Sequence, residues 1–359
     1  MFKWAGIVVL ILHAFIHLLG LDARQNTHGR ELTGIIWYIP FALFLATALG
    51  IAFDKDWWWI IALLAMVLSQ ILIVNHWHES KAGTLVNILI SVFVIIAIGQ
   101  WNFRIKVRKE ITNLFFFSAS EKRTFRDRMP VVNNLPGPVS NWLIQSGAFF
   151  KEPTHFVHLQ QQGVMRTTPT ESWLPLKAEQ YFTVDKPAFI WNAKVKAAGP
   201  LYIVARDKYE NGKGNMLIRF LSLVSMSNAK GKEIDQGSLV RFLAEIIWFP
   251  SAALNPYIKW KAVNSQSAIA VMSYNGVTAQ GLFTFNDRGE VMAFDSERYM
   301  ENKDNYTLEP WHITNLKFEE RNGIRIPVES EITWKLKEGD FTWCKLQVTD
   351  IEYNEFVGE

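Results

Sequence analysis

The chain has 359 residues, of which 49% are hydrophobic and 20% charged, and its formal net charge at pH 7 is +3. That is more apolar material than one water-soluble core needs, too little charge for a disordered chain, and too even a balance for a polybasic nucleic-acid binder. A single cysteine, Cys344, excludes an intramolecular disulfide and any cysteine-pair metal or redox motif, and leaves the compartment open.

In chain order, the first feature is four uncharged apolar runs, over residues 4–21, 34–53, 57–74 and 85–103. A helix rises about 1.5 Å per residue, so runs of about 18–20 residues reach about 27–30 Å, the thickness of a bilayer core. Four spanning helices are expected, forming a transmembrane domain over 1–103. The first run is too long for a signal-peptide core and no small-residue cleavage pattern follows it, so it is expected to be retained. Trp57, Trp58 and Trp59 open the third run and Trp101 closes the fourth, as aromatic belts do at headgroup level.

Lys3, Lys55, Arg104, Lys106, Arg108 and Lys109 fall on the side that holds both termini, whereas Arg24, Arg30 and Lys81 fall on the other. The excess assigns the C-terminal region to the cytoplasm by the positive-inside rule. Residues 104–135 then read as a juxtamembrane linker. Its first part, RIKVRKEITNLFFFS over 104–118, suits either an amphipathic segment lying in the interface or a helical continuation of the fourth span.

From residue 136 the pattern changes to short apolar segments of period two. Asn275-Gly276 and Asn322-Gly323 mark two tight hairpins, and Asn211-Gly212, the 286–289 segment NDRG and Glu338-Gly339 mark further turns. About 11–12 antiparallel strands are expected, one of them continuous over 214–226. One segment differs. Residues 236–249 carry Leu239, Phe242, Leu243 and Ile246 at helical spacing, with Pro250 at the end. The expected fold class is therefore a four-helix transmembrane segment followed by a mainly antiparallel β domain over 136–359, a curved sheet or half-barrel with one inserted helix. In MLIRFLSLV both faces of the strand are apolar, which implies a second packed layer, contact with a membrane, or a lined cavity.

Histidines form the sharpest constellation. His13 and His17 are one turn apart on the first run, and His76 and His78 follow the third, with His28 in the intervening loop. Two imidazoles at i, i+4 suit one metal ion, and a single one suits axial haem ligation. Interhelical hydrogen bonding is the simpler role, and it also accounts for Ser69, Gln70 and Asn87. In the β domain, Arg241 and Glu245 suit a headgroup site at a cavity mouth or, more simply, a helix-surface ion pair. Phe220, Trp248, Trp260 and Phe283 suit an apolar pocket wall or plain core. His155 and His158, three apart on a strand, point to opposite faces and do not form a ligand pair. Motifs of the G-x-S-x-G, H-E-x-x-H, P-loop and dinucleotide types are missing, which argues against hydrolase, metalloprotease and nucleotide-dependent activities.

The segments DQGSLVRFLAEIIWFPSAAL (235–254), FNDRGE (285–290) and GDFTWCKLQVTDIEYN (339–354), with ILHAFIHLLGL and SQILIV near the start, resemble a bacterial family of membrane-anchored proteins catalogued as a domain of unknown function. Many antiparallel strands with a helix inserted mid-chain are also similar to the lipoprotein-carrier (LolA/LolB-like) half-barrel. That resemblance implies a concave face for acyl chains and an extracytoplasmic site, against the charge count. The leading expectation is a bacterial inner-membrane protein whose β domain binds a lipid or other apolar ligand on the concave face near Trp248, with no cofactor and no nucleic acid. Two alternatives stand beside it: a haem- or metal-binding redox protein working through its membrane histidines, and a scaffold that docks a protein partner.

Overall fold

The computed structural model describes residues 2–22, 31–118, 134–302 and 305–355. It divides into two compact units, one of Met1–Ile105 with Leu221–Leu223, the other of Lys106–Phe220 with Val224–Glu359.

The first unit is helical: α1 (Phe2–Asp22), α2 (Glu31–Ala52), α3 (Trp58–Asn75), a single turn α4 (Trp77–Ser80), and α5 (Gly83–Ser118), which continues into the second unit. Among the described residues two helices are long and apolar enough to cross a bilayer, Trp58–Asn75 and Gly83–Phe116. This corrects the expectation of four. The described apolar stretches of α1 and α2, Lys3–Leu18 and Ile36–Ala52, are shorter than the 18 residues of α3. His28 lies outside the described residues.

Packing in this unit is inverted relative to a water-soluble bundle. Leu12, Ile16, Leu49, Leu64, Ile71, Val92 and Phe93 face outward, while Ala14, Phe44, Ala62, Ala65, Ile90 and Val94 share the interior with His13, His17, Thr47, Ser69 and Asn87. Small residues let the helix backbones approach closely, and His13, Ser69 and Asn87 bond between helices, whereas Thr47 bonds the Leu43 carbonyl of its own helix. Lys3 pairs with Asp54 at 2.7 Å and Arg104 with Asp56 at 2.8 Å.

Between the two readings of 104–118, the structure takes the helical continuation: α5 runs unbroken to Ser118. Its last turns pack on the sheet of the second unit. Phe115 is buried against the rings of Phe156 and Tyr181, at 5.2 and 6.0 Å, and Glu110 pairs with Arg206 at 3.0 Å.

Among the described residues the sheet has thirteen strands: β1 (Phe156–Met165), β2 (Leu174–Thr183), β3 (Ala188–Lys196), β4 (Tyr202–Glu210), β5 (Lys213–Phe220), β6 (Val224–Ala229), β7 (Ile258–Asn264), β8 (Ser267–Tyr274), β9 (Val277–Phe285), β10 (Val291–Asn302), β11 (Asn305–Arg321), β12 (Ile324–Leu336) and β13 (Gly339–Tyr353). They form one curved antiparallel sheet in the order β6-β5-β4-β3-β2-β1-β13-β12-β11-β10-β9-β8-β7. Among the described residues sequence neighbours pair except β6 and β7, which form the two edges, and the long-range closure is β1 against β13. Helix α6 (Gly137–Gln145), helix α7 (Lys232–Glu245) and the 3-10 turns Ile246–Trp248 and Pro250–Leu254 share one core with the inner face of the sheet.

The strand expected over 214–226 is instead the hairpin β5–β6, because Leu221 and Ser222 adopt φ of 51° and 62°. No glycine or asparagine announces that turn. By contrast Asn275-Gly276 (48°, 80°) and Asn322-Gly323 (52°, 75°) have the left-handed pair that a two-residue hairpin requires. The helix expected over 236–249 begins and ends earlier, and Pro250 opens a new 3-10 turn rather than closing the helix.

Candidate functional site

Helix α7 packs on β4, β5, β8, β9 and β10, so both its apolar and its polar stripes are covered. Arg241 donates from Nε to Glu245 Oε1 at 2.8 Å and from its terminal nitrogens to Asp207 Oδ2 at 2.9 Å and Gln180 Oε1 at 3.3 Å. Gln180 Nε2 closes the ring by donating to Glu245 Oε2 at 2.7 Å. The guanidinium also lies 5.1 and 4.9 Å from the ring centres of Phe189 and Trp191. Burial opposes its charge, yet the carboxylates of Glu245 and Asp207 outweigh burial and hold it above its ordinary value. Burial pushes the Glu245 carboxyl up against the pull of Arg241 and Gln180. The spacing that reads as a surface ion pair is thus a buried network. Nearby Arg298 donates to the Gly237 carbonyl at 3.0 Å and stacks on Trp311 at 4.9 Å; burial lowers it to about 10.

The other residues singled out for an apolar pocket are taken up by packing. Trp260 and Phe283 are 5.1 Å apart in a stack that includes Trp142 and Phe294. Trp248 stands elsewhere, donating Nε1 to the Pro327 carbonyl at 3.1 Å, and Phe220 closes β5 at the far side of the sheet. Arg241 and Glu245 come together, Trp260 and Phe283 come together, and Trp248 and Phe220 join neither pair.

In the helical unit, His13 donates from Nε2 to Asn87 Oδ1 at 3.1 Å, and Asn87 Nδ2 donates to Gln70 Oε1 at 3.0 Å. His17 packs 5.0 Å from His13, against Phe44 and Trp37. His76 also packs on Trp37, at 5.5 Å, and bonds the Leu72 carbonyl at 2.9 Å; His78 is exposed on α4. Among the described residues no three His, Cys, Asp or Glu side chains are grouped to hold a metal ion. His155 and His158 are separate, bonded to Asp185 and Glu352 respectively.

A cavity of about 780 Å³ lies where no single segment pointed. It is a trough on the sheet face turned away from α7, across the adjacent strands β3, β2, β1, β13 and β12 and bounded by the β3–β4 turn. The register explains its lining. Leu176, Ala178, Ala193 and Val195 point to the core, so the alternate positions Lys177, Lys194 and Lys196 point into the trough. Val164, Pro175, Leu201 and Leu316 give it apolar walls. Lys194 Nζ stands 4.2 Å over the Tyr202 ring, and burial lowers its pKa. Lys345 is matched by Glu331 at 2.6 Å. Period-two lysines in KVK are a visible signal of an outward face; the trough itself is not visible, because it joins residues from 162 to 347.

Such a chain is a helical unit joined to a curved antiparallel sheet that wraps an inserted helix. The model of the Family of unknown function (DUF6920) matches residues 133–353, more than half of the chain, and the chain belongs to that family. No curated protein matches it. Among solved structures, a LolA superfamily protein from Nitrosomonas europaea matches at 7% identity, covering 61% of this chain and 94% of that one with a TM-score of 0.34. A putative outer membrane lipoprotein-sorting protein domain from Vibrio parahaemolyticus matches at 6% identity, covering 62% and 94%, with a TM-score of 0.36. Likeness at that level carries no argument about ligands.

Proposed function

We propose that this is a membrane-anchored protein whose β unit holds a lipid or another amphiphile in the trough opposite α7. The observation that carries the reading is the trough itself, about 780 Å³ of space with apolar walls beside cationic side chains. A ligand with one greasy and one polar part matches that lining better than a sugar or a free ion. The concave face near Trp248, where the ligand was expected, is occupied by α7 and the turns that follow it, whose side chains are almost wholly buried. Anchoring rests on the inverted packing of the helical unit, with α3 and α5 as the helices that meet the length of a bilayer core. The excess of Lys and Arg beside Lys3, Lys55 and Arg104 supports a cytoplasmic C-terminal region, whereas the half-barrel resemblance favours an extracytoplasmic one.

The test is native mass spectrometry of the detergent-purified full chain and of Val164→Trp, which fills the trough without touching the core. A bound lipid in the wild type that is lost in the variant is the expected result. A lipid-free wild type, or lipid retained equally by both, contradicts the proposal.

A further inference from the structure

Resting on that reading, we propose that the trough selects amphiphiles with an anionic headgroup, held by Lys177, Lys194 and Lys196 while the apolar portion lies along Val164, Pro175, Leu201 and Leu316. The first argument is register. Lys177 stands directly opposite Lys194 on the neighbouring strand, and Lys196 is the next residue on the same face. Like charges directly opposite each other destabilise a sheet, where opposite charges would stabilise it. This sheet uses the favourable arrangement elsewhere: Lys335 is paired across the strands with Asp340 at 2.5 Å, and Lys345 with Glu331 at 2.6 Å. Among the described residues none of the three trough lysines has a carboxylate partner.

The second argument is the balance of charge. Lys177, Lys194, Lys196 and Lys345 line the trough together with Glu329 and Glu331, four cations against two anions, which leaves +2. Both glutamates are engaged, Glu331 by Lys345 and Glu329 by Lys317 at 3.9 Å. The uncompensated charge is therefore gathered at the β2–β3 side, and the Tyr202 ring beneath Lys194 fixes one ammonium there. An anion at this place relieves the repulsion between Lys177 and Lys194 and gains charge-assisted hydrogen bonds from several donors. A bare anion leaves the apolar wall uncovered, and a neutral lipid leaves the lysines unmatched. An amphiphile with a phosphate or carboxylate head satisfies both.

The test uses the delipidated full chain in a neutral maltoside detergent, titrated with short-chain phosphatidylglycerol, phosphatidylcholine of the same chains, and glycerol phosphate. Only binding abolished by Val164→Trp is scored. Phosphatidylglycerol is expected to bind at least ten-fold more tightly than phosphatidylcholine. The triple variant Lys177→Gln, Lys194→Gln, Lys196→Gln is expected to erase that preference by weakening phosphatidylglycerol far more than phosphatidylcholine, and to unfold no more easily than wild type, since it removes repulsion. Equal affinity for the two lipids overturns the charge selection and leaves the lipid trough standing. Loss of all lipid binding at the trough overturns the reading beneath it. Glycerol phosphate binding as tightly as the whole lipid, or an acidic peptide displacing the lipid at lower concentration than phosphatidylglycerol, overturns the assignment to an amphiphile.

Discussion

The two units of this chain solve the same packing problem with opposite faces. In the helical unit the outward side chains are leucines, isoleucines, valines and phenylalanines, and the interior contains histidines, serine, threonine and asparagine. In the β unit the interior holds Phe182, Phe242, Phe249, Phe283 and Phe294, and lysines and glutamates alternate outward along the strands. A soluble fold gains by hiding apolar area from water. A helix bundle in hydrocarbon has no such gain, and coheres through close backbone approach and interhelical hydrogen bonds. Under the proposed anchoring the two halves are matched to two solvents, and each half supplies the control for the other.

Breaking the buried network of the β unit carries the largest expected effect. Arg241→Ala leaves Asp207 and Glu245 buried without their cation, and is expected to cost about 3–5 kcal/mol. Denaturant titration of the purified full chain, followed by tryptophan fluorescence, measures it, and a loss below 1 kcal/mol contradicts the burial of the network. Next comes a charge on the outer face of the helical unit. Val92→Asp is expected to disfavour membrane insertion by about 2.5–3.5 kcal/mol. On a water-exposed face the same change is near neutral, so unchanged yield of folded protein in the membrane fraction breaks the comparison. Gly276→Ala, at φ of +80° with open space around the new methyl, isolates backbone strain and is expected to cost about 1 kcal/mol. Asn87→Leu removes the bonds to His13, Ser69 and Gln70 and is expected to cost about 0.6–2 kcal/mol in thermal unfolding in detergent.

The smallest effect is one of pH. Burial would raise the Glu290 carboxyl, but hydrogen bonds from Asn286 and Arg325 outweigh it, and the folded value lies below the ordinary 4.5. Its contribution is fully present above 4.5 and is lost as pH falls through the lower, folded value. Glu290→Gln is accordingly expected to flatten the acid limb of the stability curve in pH-dependent thermal melts, and an unchanged limb contradicts the pairing.

What was legible in the sequence follows from locality. Asn275-Gly276 and Asn322-Gly323 fixed two hairpins because only a few residue types reach both left-handed positions cheaply. The turn at Leu221 and Ser222 was invisible because it forms without such residues, and so two strands read as one. The i, i+4 spacing of Arg241 and Glu245 was visible, whereas its burial depends on strands far away in sequence, with Gln180 and Asp207 supplying the rest of the network. Helix α6 was missed because it is only nine residues long and opens on Gly137-Pro138, a pair that reads as a turn. The trough was beyond reach for the same reason as the network: β1 meets β13 across the whole domain, and only that closure brings Lys177 and Lys345 to one surface.

The central claim, two units facing two solvents, is tested most directly by site-specific accessibility in proteoliposomes. On a Cys344→Ser background, single cysteines replace Ile71 and Val92 on the helical unit and the exposed Lys261 and Gln280 on the sheet, outside the trough, and each is challenged in opened vesicles with a charged, water-soluble maleimide. The account predicts rapid labelling at 261 and 280 and protection at 71 and 92 that persists until the bilayer is dissolved. Equal labelling at all four positions with the bilayer intact would contradict it.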